Sequence, residues 1–433
     1  MSGATAAHAS YNGSGTQGIA VTNKLNDTGD IISTIWGKDD TTKQLLHGSS
    51  LIEIPSSGGG TSPGSVYTFT LNSDMDAIGN MYGFATIGLL GGGANSSKII
   101  GFLSVINRIE FHCGTQIWQT LEQDDLVALS ITELSETAHE KFVLSSLGYM
   151  SDSSFNIRLD TIVNSPLTTR VVSFKIPLLT RKVCPIFNNF SNITEAGFLT
   201  ACAPNQTVKI RIFTNTFADM FADNAITDDT TGTLDLRLFG NHLVMCNEER
   251  EKIRNIPGGI AKRVKITQNA NLSSFSSARN NGVVTAIIDC DHFSLFASHL
   301  IIKIHDNATG FRDISGCSII DADLRLNNTS YCGRLTGAVM SGPLADSMGL
   351  YVNSFASRSQ TNRDTLVYVF PLSNYAFSGA GVPLNRFDNI RLTVRISLSS
   401  PLGVAEELSR VSVTCVGEST ALYKQGAASI SMY

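Results

Sequence analysis

The chain reads as an all-β protein built from sandwiches, and three observations carry that reading. Near its end Ile390, Leu392, Val394, Ile396 and Leu398 alternate with Arg391, Thr393, Arg395 and Ser397. A period of two gives a strand one dry face and one wet face. The same alternation marks Val66-Tyr67-Thr68-Phe69-Thr70-Leu71, Val208 to Phe213 and Leu234 to Phe239. Charged residues make up only 16%, while Gly (37 residues), Ser, Thr and Asn abound. Soluble domains average about 25% charged, so this is a turn-rich chain whose surface is covered by small polar groups.

Taken in order, residues 1–60 read as an N-terminal arm, partly extended. Their β-prone runs are Ile31 to Trp36 and Ser50-Leu51-Ile52-Glu53-Ile54, ahead of a linker-like Ser56-Ser57-Gly58-Gly59-Gly60. The first sandwich starts at Val66. Gly88 and Gly93 have the outer spacing of a phosphate loop, but Ala94-Asn95 stand where that motif needs Lys and Ser/Thr. The stretch is therefore expected to be a flexible loop. Ile106 to Ile117 reads as a strand, a turn at Gly114 and a return. Strands are expected at Val171 to Leu179, Val208 to Phe213 and Leu234 to Phe239. The charge run Asn247 to Arg254 fits a solvated helical face, and Pro257-Gly258-Gly259 makes a natural boundary. Beyond it, strands are expected from Val264, through His299 to Ile304, over Ala322 to Asn327, and at Val367 to Phe370. A loop rich in aromatics and glycine follows, and Val411 to Val416 closes the set.

At 433 residues the chain has ample length for sizeable cores. A net charge of −5 supplies no global positive field for nucleic acid. The eight cysteines are scattered without a C-x-x-C pair, which argues against a zinc or thioredoxin-like motif and for small buried hydrophobes made in a reducing cytosol. The N-terminus lacks the basic start and apolar run of a signal peptide. Residues 77–97 are uncharged but carry six glycines, unlike a spanning helix. The N-x-S/T triplets are no more than an Asn-, Ser- and Thr-rich chain produces by chance.

Candidate chemistry is thin. Asp289-Cys290-Asp291-His292 offers four potential ligands, but adjacent strand residues face opposite sides, so only two could share a site. A polar strand end is the expectation there, and His299 and His305 are expected to be packed or surface histidines. Asp39-Asp40, Asp124-Asp125 and Asp228-Asp229 look like turns rather than the carboxylate pair of a glycosidase, which needs an apolar cleft. No G-x-S-x-G elbow is present. No catalytic, cofactor-binding or metal site is expected, and the chain does not read as an enzyme.

Several segments, in order, resemble the major capsid proteins of nucleocytoplasmic large DNA viruses and related double-stranded DNA viruses. Asn385-Arg386-Phe387-Asp388 is similar to that family's serine/asparagine–arginine–isoleucine–aspartate motif, and Tyr351 to Phe355 or Tyr368 to Leu372 to the strand before it. Glu249-Arg250 is similar to the glutamate–arginine segment that crosses from a first jelly roll to a second. Ile106 to Ile117, Val171 to Leu179, Asp291 to Ile304, Ala322 to Asn328 and Leu422 to Ala428 resemble further elements, spanning residues 66–433. Phe293 stands in place of a family proline, and Asn328 in place of a turn glycine.

The resemblance implies a double jelly roll: two tandem eight-stranded jelly-roll β-sandwiches, the first over 61–255 and the second over 256–433. It implies homotrimers of pseudo-hexagonal outline that tile an icosahedral shell, made in the host cytoplasm and resident in the virion capsid. Minor capsid and penton proteins and an internal membrane are the further partners, with no specific nucleic acid. Glu249, Arg250, Asn385, Arg386, Phe387 and Asp388 are the expected structural motif residues, Arg386 and Asp388 forming a polar pair. The alternative is a trimeric viral fibre or a carbohydrate-binding β-sandwich. A fibre would show a short repeat, and none is present.

Overall fold

The structure, a computed structural model, describes residues 47–71, 76–90, 105–133, 169–176, 198–216, 233–245, 247–272, 282–306, 317–340, 367–373, 381–398 and 408–431. Up to residue 254 the elements are β1 (His47–Ile54), β2 (Ser56–Ser57), β3 (Val66–Leu71), β4 (Ala77–Leu90), β5 (Ile106–Cys113), β6 (Gln116–Glu122), helix α1 (Gln123–Glu133), β7 (Thr169–Ile176), β8 (Val208–Thr214), β9 (Thr233–Met245) and helix α2 (Asn247–Arg254). After it come β10 (Ile260–Leu272), β11 (Val283–Asp289), β12 (Phe296–Asp306), β13 (Cys317–Leu326), β14 (Thr329–Ser330), β15 (Leu335–Thr336), α3 (Gly337–Met340), β16 (Val367–Pro371), β17 (Val382–Pro383), β18 (Ile390–Leu398), β19 (Leu408–Lys424) and β20 (Ala427–Ser431).

These strands form four antiparallel sheets, and no sheet joins strands from both sides of Pro257-Gly258-Gly259 among the described residues. The first half has the sheets β1-β9-β4-β7 and β2-β3-β8-β5-β6; the second has β10-β19-β12-β16 and β11-β18-β13-β14. With the eight principal strands of each half counted in chain order, both halves have the sheet orders 1-8-3-6 and 2-7-4-5. That is one Greek-key sandwich made twice. The short strands β2, β15, β17 and β20 are additions to the two sets of eight.

Alternation builds the faces. β3 and β8 bury Tyr67, Phe69, Leu71, Val208, Ile210 and Ile212 while their intervening residues are more open. β18 buries Ile390, Leu392, Val394 and Ile396. Each such side chain contributes about 1.5–3 kcal/mol by leaving water. Turns follow their residues too. Asn327 and Asn328 both have positive φ (49° and 66°) between β13 and β14, which a two-residue hairpin turn of this hand requires. Asn tolerates that region better than most residues.

Several expectations are corrected. His47–Ile54, placed in the arm, is strand β1, paired with β9 through the full register His47↔Met245 to Ile54↔Leu238. Residues 1–46, with Ile31 to Trp36, lie outside the described residues. Gly88 is not in a loop: it is in β4, opposite Val171 and Thr233. Asp124-Asp125 is not a turn but the first turn of α1. The second strand set begins at Ile260 rather than Val264, because β10 pairs from Ile260↔Tyr423 onward. Four of the described cysteines are buried, but Cys332 is exposed.

Candidate functional site: the seam and the near end

The outer face of β10-β19-β12 is where the two halves meet. On β10 this face carries Lys265, Thr267 and Asn269; on β19 Ser412, Thr414 and Val416; on β12 His299, Ile301 and Lys303. Strand alternation marks most of these as the wet side. Apart from the half-buried Asn269, they are buried, because the first half covers them.

The covering elements are β6 and α1. Asp125 is buried, and its Oδ1 accepts from Lys303 Nζ at 2.6 Å and from Thr414 Oγ1 at 2.7 Å. Its Oδ2 accepts from the Glu122 backbone N–H at 2.9 Å, half of a capping box that starts α1. Asn269 Nδ2 donates to the same oxygen at 2.5 Å. Burial pushes the Asp125 carboxyl up, but the Lys303 charge and these donors outweigh it, and its pKa lies below the usual carboxylate range. Gln119 Nε2 donates across the seam to Thr267 Oγ1.

An aromatic cluster continues the contact. Phe111, Trp118 and Phe198 of the first half pack with Tyr423 of β19, the Trp118–Phe198 and Phe198–Tyr423 centroids each 5.4 Å apart and edge-on. Such pairs contribute about 0.5–1.5 kcal/mol each beyond area burial. The β19–β20 turn docks beside them: the Asn205 N–H donates to Gly426 O at 3.1 Å, and the Ala428 N–H to Gln206 Oε1 at 2.7 Å. Gly426 has φ +76°, and a Cβ there would stand 2.6 Å from Asn205 Nδ2, so the approach needs glycine.

His299 sits in the same face, fully buried. Ser298 Oγ gives its proton to Val416 O at 3.1 Å, so its 2.9 Å contact with Nδ1 is donated by the imidazole. Nε2 is then an acceptor, and it has no hydrogen-bond partner. Burial, and the Lys265 charge next to it, hold the His299 pKa well below the ordinary histidine value.

The motif residues lie at the end of the molecule where β1 begins and β19 finishes. In α2, Arg250 grips buried Asp76 with two bonds, Nε to Oδ1 at 2.5 Å and Nη2 to Oδ2 at 2.7 Å. Asp76 also accepts the Met245 N–H at 2.7 Å. Arg254 Nε donates to Ala201 O at 2.9 Å. The charge run is a helix, as expected, but these two arginines latch it to the first sandwich instead of facing only water. Glu249 is in α2 beside Arg250; its side chain lies outside the described residues.

The second motif works through its backbone. Leu384 is buried, and its N–H donates to Leu295 O at 3.0 Å. Phe387 packs against the core. The N–H groups of Asp388 and Asn389 both donate to Asn327 Oδ1, at 3.0 and 3.1 Å, and the Asn327 N–H returns to Asn389 O at 2.8 Å. Asn385, Arg386 and Asp388 are exposed. No ion pair joins Arg386 to Asp388 among the described residues, which corrects the expected polar pair.

The Asp289 to His292 cluster does not converge. Asp289 pairs with Arg391 at 3.1 Å, Cys290 is buried, Asp291 Oδ1 accepts the Ile390 N–H, and His292 Nε2 meets Asn269 O at 2.8 Å. Among the described residues no group of three or more His, Cys, Asp or Glu is placed to hold a metal ion. None of the described helices is long and apolar enough to cross a membrane.

Comparison with known sequence families and with curated proteins returns no match. Comparison with solved structures does. PBCV-1 VP54, fitted into a reconstruction of the virophage Sputnik, is similar at TM-score 0.67 and 12% identity over 89% of this chain and 97% of that one. The Faustovirus major capsid protein is similar at 0.57 and 8% identity, over 87% and 91%. A chain of the Sputnik virophage structure is similar at 0.55 and 10%, over 94% and 91%. The likeness runs through both halves and agrees with the doubled 1-8-3-6 and 2-7-4-5 orders. This chain has the double jelly-roll fold.

Proposed function

We propose that the chain is the major capsid protein of an icosahedral double-stranded DNA virus, a structural protein rather than an enzyme. One observation carries this: the same sandwich topology, made twice in tandem and joined by a buried seam, matches capsid proteins over nearly nine-tenths of the chain. In this reading three copies form a capsomer whose six sandwiches give a pseudo-hexagonal outline, and capsomers tile the shell. In this reading the units are an N-terminal arm ahead of β1, a first jelly roll to residue 255 and a second over 256–433. Glu249 and Arg250 set the crossover between them. Asn385 to Asp388 close the second sandwich and present Arg386 and Asp388 to neighbouring capsomers, to minor capsid and penton proteins, or to an internal membrane. The protein is made in the host cytoplasm and resides in the virion.

Negative-stain electron microscopy of the purified chain tests the reading. The expected image is a six-lobed particle with threefold symmetry. Isolated two-lobed particles that bind glycans would overturn it in favour of a carbohydrate-binding sandwich.

A further inference from the structure

The seam inside the chain brings together more polar atoms than its own side chains pair. Four buried ones have no hydrogen-bond partner among the described residues: Trp118 Nε1 and Gln119 Oε1 on β6, Asn269 Oδ1 on β10 and His299 Nε2 on β12. They gather in one stretch of the joint. Gln119 bonds Thr267, which lies level with His299 across β19, since both are opposite Val416. Asn269 stands two residues further along β10, on the same face as Thr267. The other bonds of these residues fix what each atom can do. Asn269 Nδ2 donates to Asp125, and an ionised carboxylate only accepts, so Oδ1 is an acceptor. The Ser298 contact makes His299 Nε2 an acceptor as well. Thr267 can give or take a proton, so Gln119 keeps one amide atom over whichever way it is turned. The indole N–H of Trp118 only donates. Two acceptors cannot satisfy each other, and a buried polar group left bare is costly.

We propose that the seam is a hydration site, where waters bound between β6, β10 and β12 bridge these atoms and complete the contact between the sandwiches. The chemistry selects the ligand. Lys265 and Lys303 are buried in the same face and disfavour a cation. Asp125 already accepts from four donors, and Glu418, the other carboxylate of the face, sits across from Lys265. An anion has nothing to offer Asn269 Oδ1 or His299 Nε2, because neither carries a proton. An apolar molecule would leave all four atoms unpaired. Water both gives and accepts protons, and a buried water makes about three hydrogen bonds to groups of this kind. The joint is therefore dry at one end, around Phe198 and Tyr423, and wet where Asn269 and His299 lie. Bridged contacts re-form after small shifts, so the wet stretch lets the sandwiches adjust against each other. The site lies within one chain and does not depend on the capsomer reading.

The test is a crystal structure of the full chain grown in rubidium chloride, at a resolution that shows ordered water, with anomalous scattering to separate ions from water. The expected result is peaks without anomalous signal within hydrogen-bond distance of His299 Nε2 and Asn269 Oδ1, at least one of them also reaching Gln119 or Trp118. His299→Phe keeps a ring in place, and it should lose the peak beside residue 299 while the peak beside Asn269 stays. Gln119→Met reads the same site should His299→Phe fold poorly. A rubidium peak at these atoms would overturn the proposal in favour of a cation. Side chains that close directly on the four atoms, with no peak between them, would overturn it too, as would a peak beside residue 299 that survives His299→Phe.

Discussion

Lys303 and Asp125 form a buried ion pair, 2.6 Å from Nζ to Oδ1, that ties the third strand of the second sandwich to a helix of the first. Two charges withdrawn from water cost several kcal/mol each, and their attraction offsets this only with good geometry and further hydrogen bonds. Thr414, Asn269 and the Glu122 N–H supply those bonds. The pair thereby fixes how the sandwiches sit against each other more than it adds net stability.

Lys303→Met should lower stability by about 3–5 kcal/mol, because it leaves the Asp125 carboxylate buried without its counter-charge. Adding Asp125→Leu should restore most of that loss, since an apolar pair of similar volume has no charge to bury. Urea titrations of the two single variants and the double variant check the cycle. A double variant as weak as either single one would contradict it.

Acid should loosen the seam through His299. Its pKa in the folded chain lies well below 6.5, so between the two values the unfolded chain binds more protons. Stability is fully present above pH 6.5 and falls as pH drops towards the lowered value. Asp125, also lowered, adds a further loss only below the ordinary carboxylate range, near 4. Melting temperatures from pH 7.5 to 5 should decline for the parent chain and decline less for His299→Asn. Parallel curves for the two would remove His299 from the account.

Arg250→Lys should behave as a damaging change despite keeping the charge. Two parallel bonds hold the Asp76 carboxylate, and an ammonium cannot reproduce the fork. A loss of about 1.5–3 kcal/mol is expected, the scale of a hydrogen bond to a charged group. It should be read as faster protease cleavage near residues 255–259, where α2 leads into β10.

Asn327→Ala should cost about 1–2 kcal/mol, since it strips the shared acceptor from the Asp388 and Asn389 N–H groups and puts Ala at φ 49°. Asn328→Gly should be neutral or mildly stabilising, because φ 66° suits glycine. Thermal melts of the two variants distinguish these directions. By contrast Arg386→Ala should leave the melt unchanged and weaken only contacts between capsomers, since its side chain is exposed.

Much of the fold was legible because a half-buried strand writes its faces in alternation, as Val66 to Leu71 and Ile390 to Leu398 do. The turn at Asn327-Asn328 was legible through the family resemblance, with Asn328 in place of a turn glycine. The seam was not. Lys265, Thr267, Thr414 and Lys303 occupy the wet positions of their strands, and only a second sandwich makes that side dry. Nothing within one strand announces such a neighbour. Asp125 was misread for the same reason, since its partners lie 144, 178 and 289 residues away in sequence. The twofold repeat of topology was legible only through the family resemblance, because sheet order does not depend on repeating the residues. β1 was hidden by composition: its first residues are as polar as the arm before it, and pairing with β9 orders them.

The central claim, that this chain is a self-assembling capsid subunit, is tested most directly by the solution mass of the purified protein at neutral pH. The account predicts a single species of about 140 kDa, three copies of the 46.5 kDa chain, with a β-rich circular dichroism spectrum. A stable species of 46.5 kDa that persists at high concentration would contradict it.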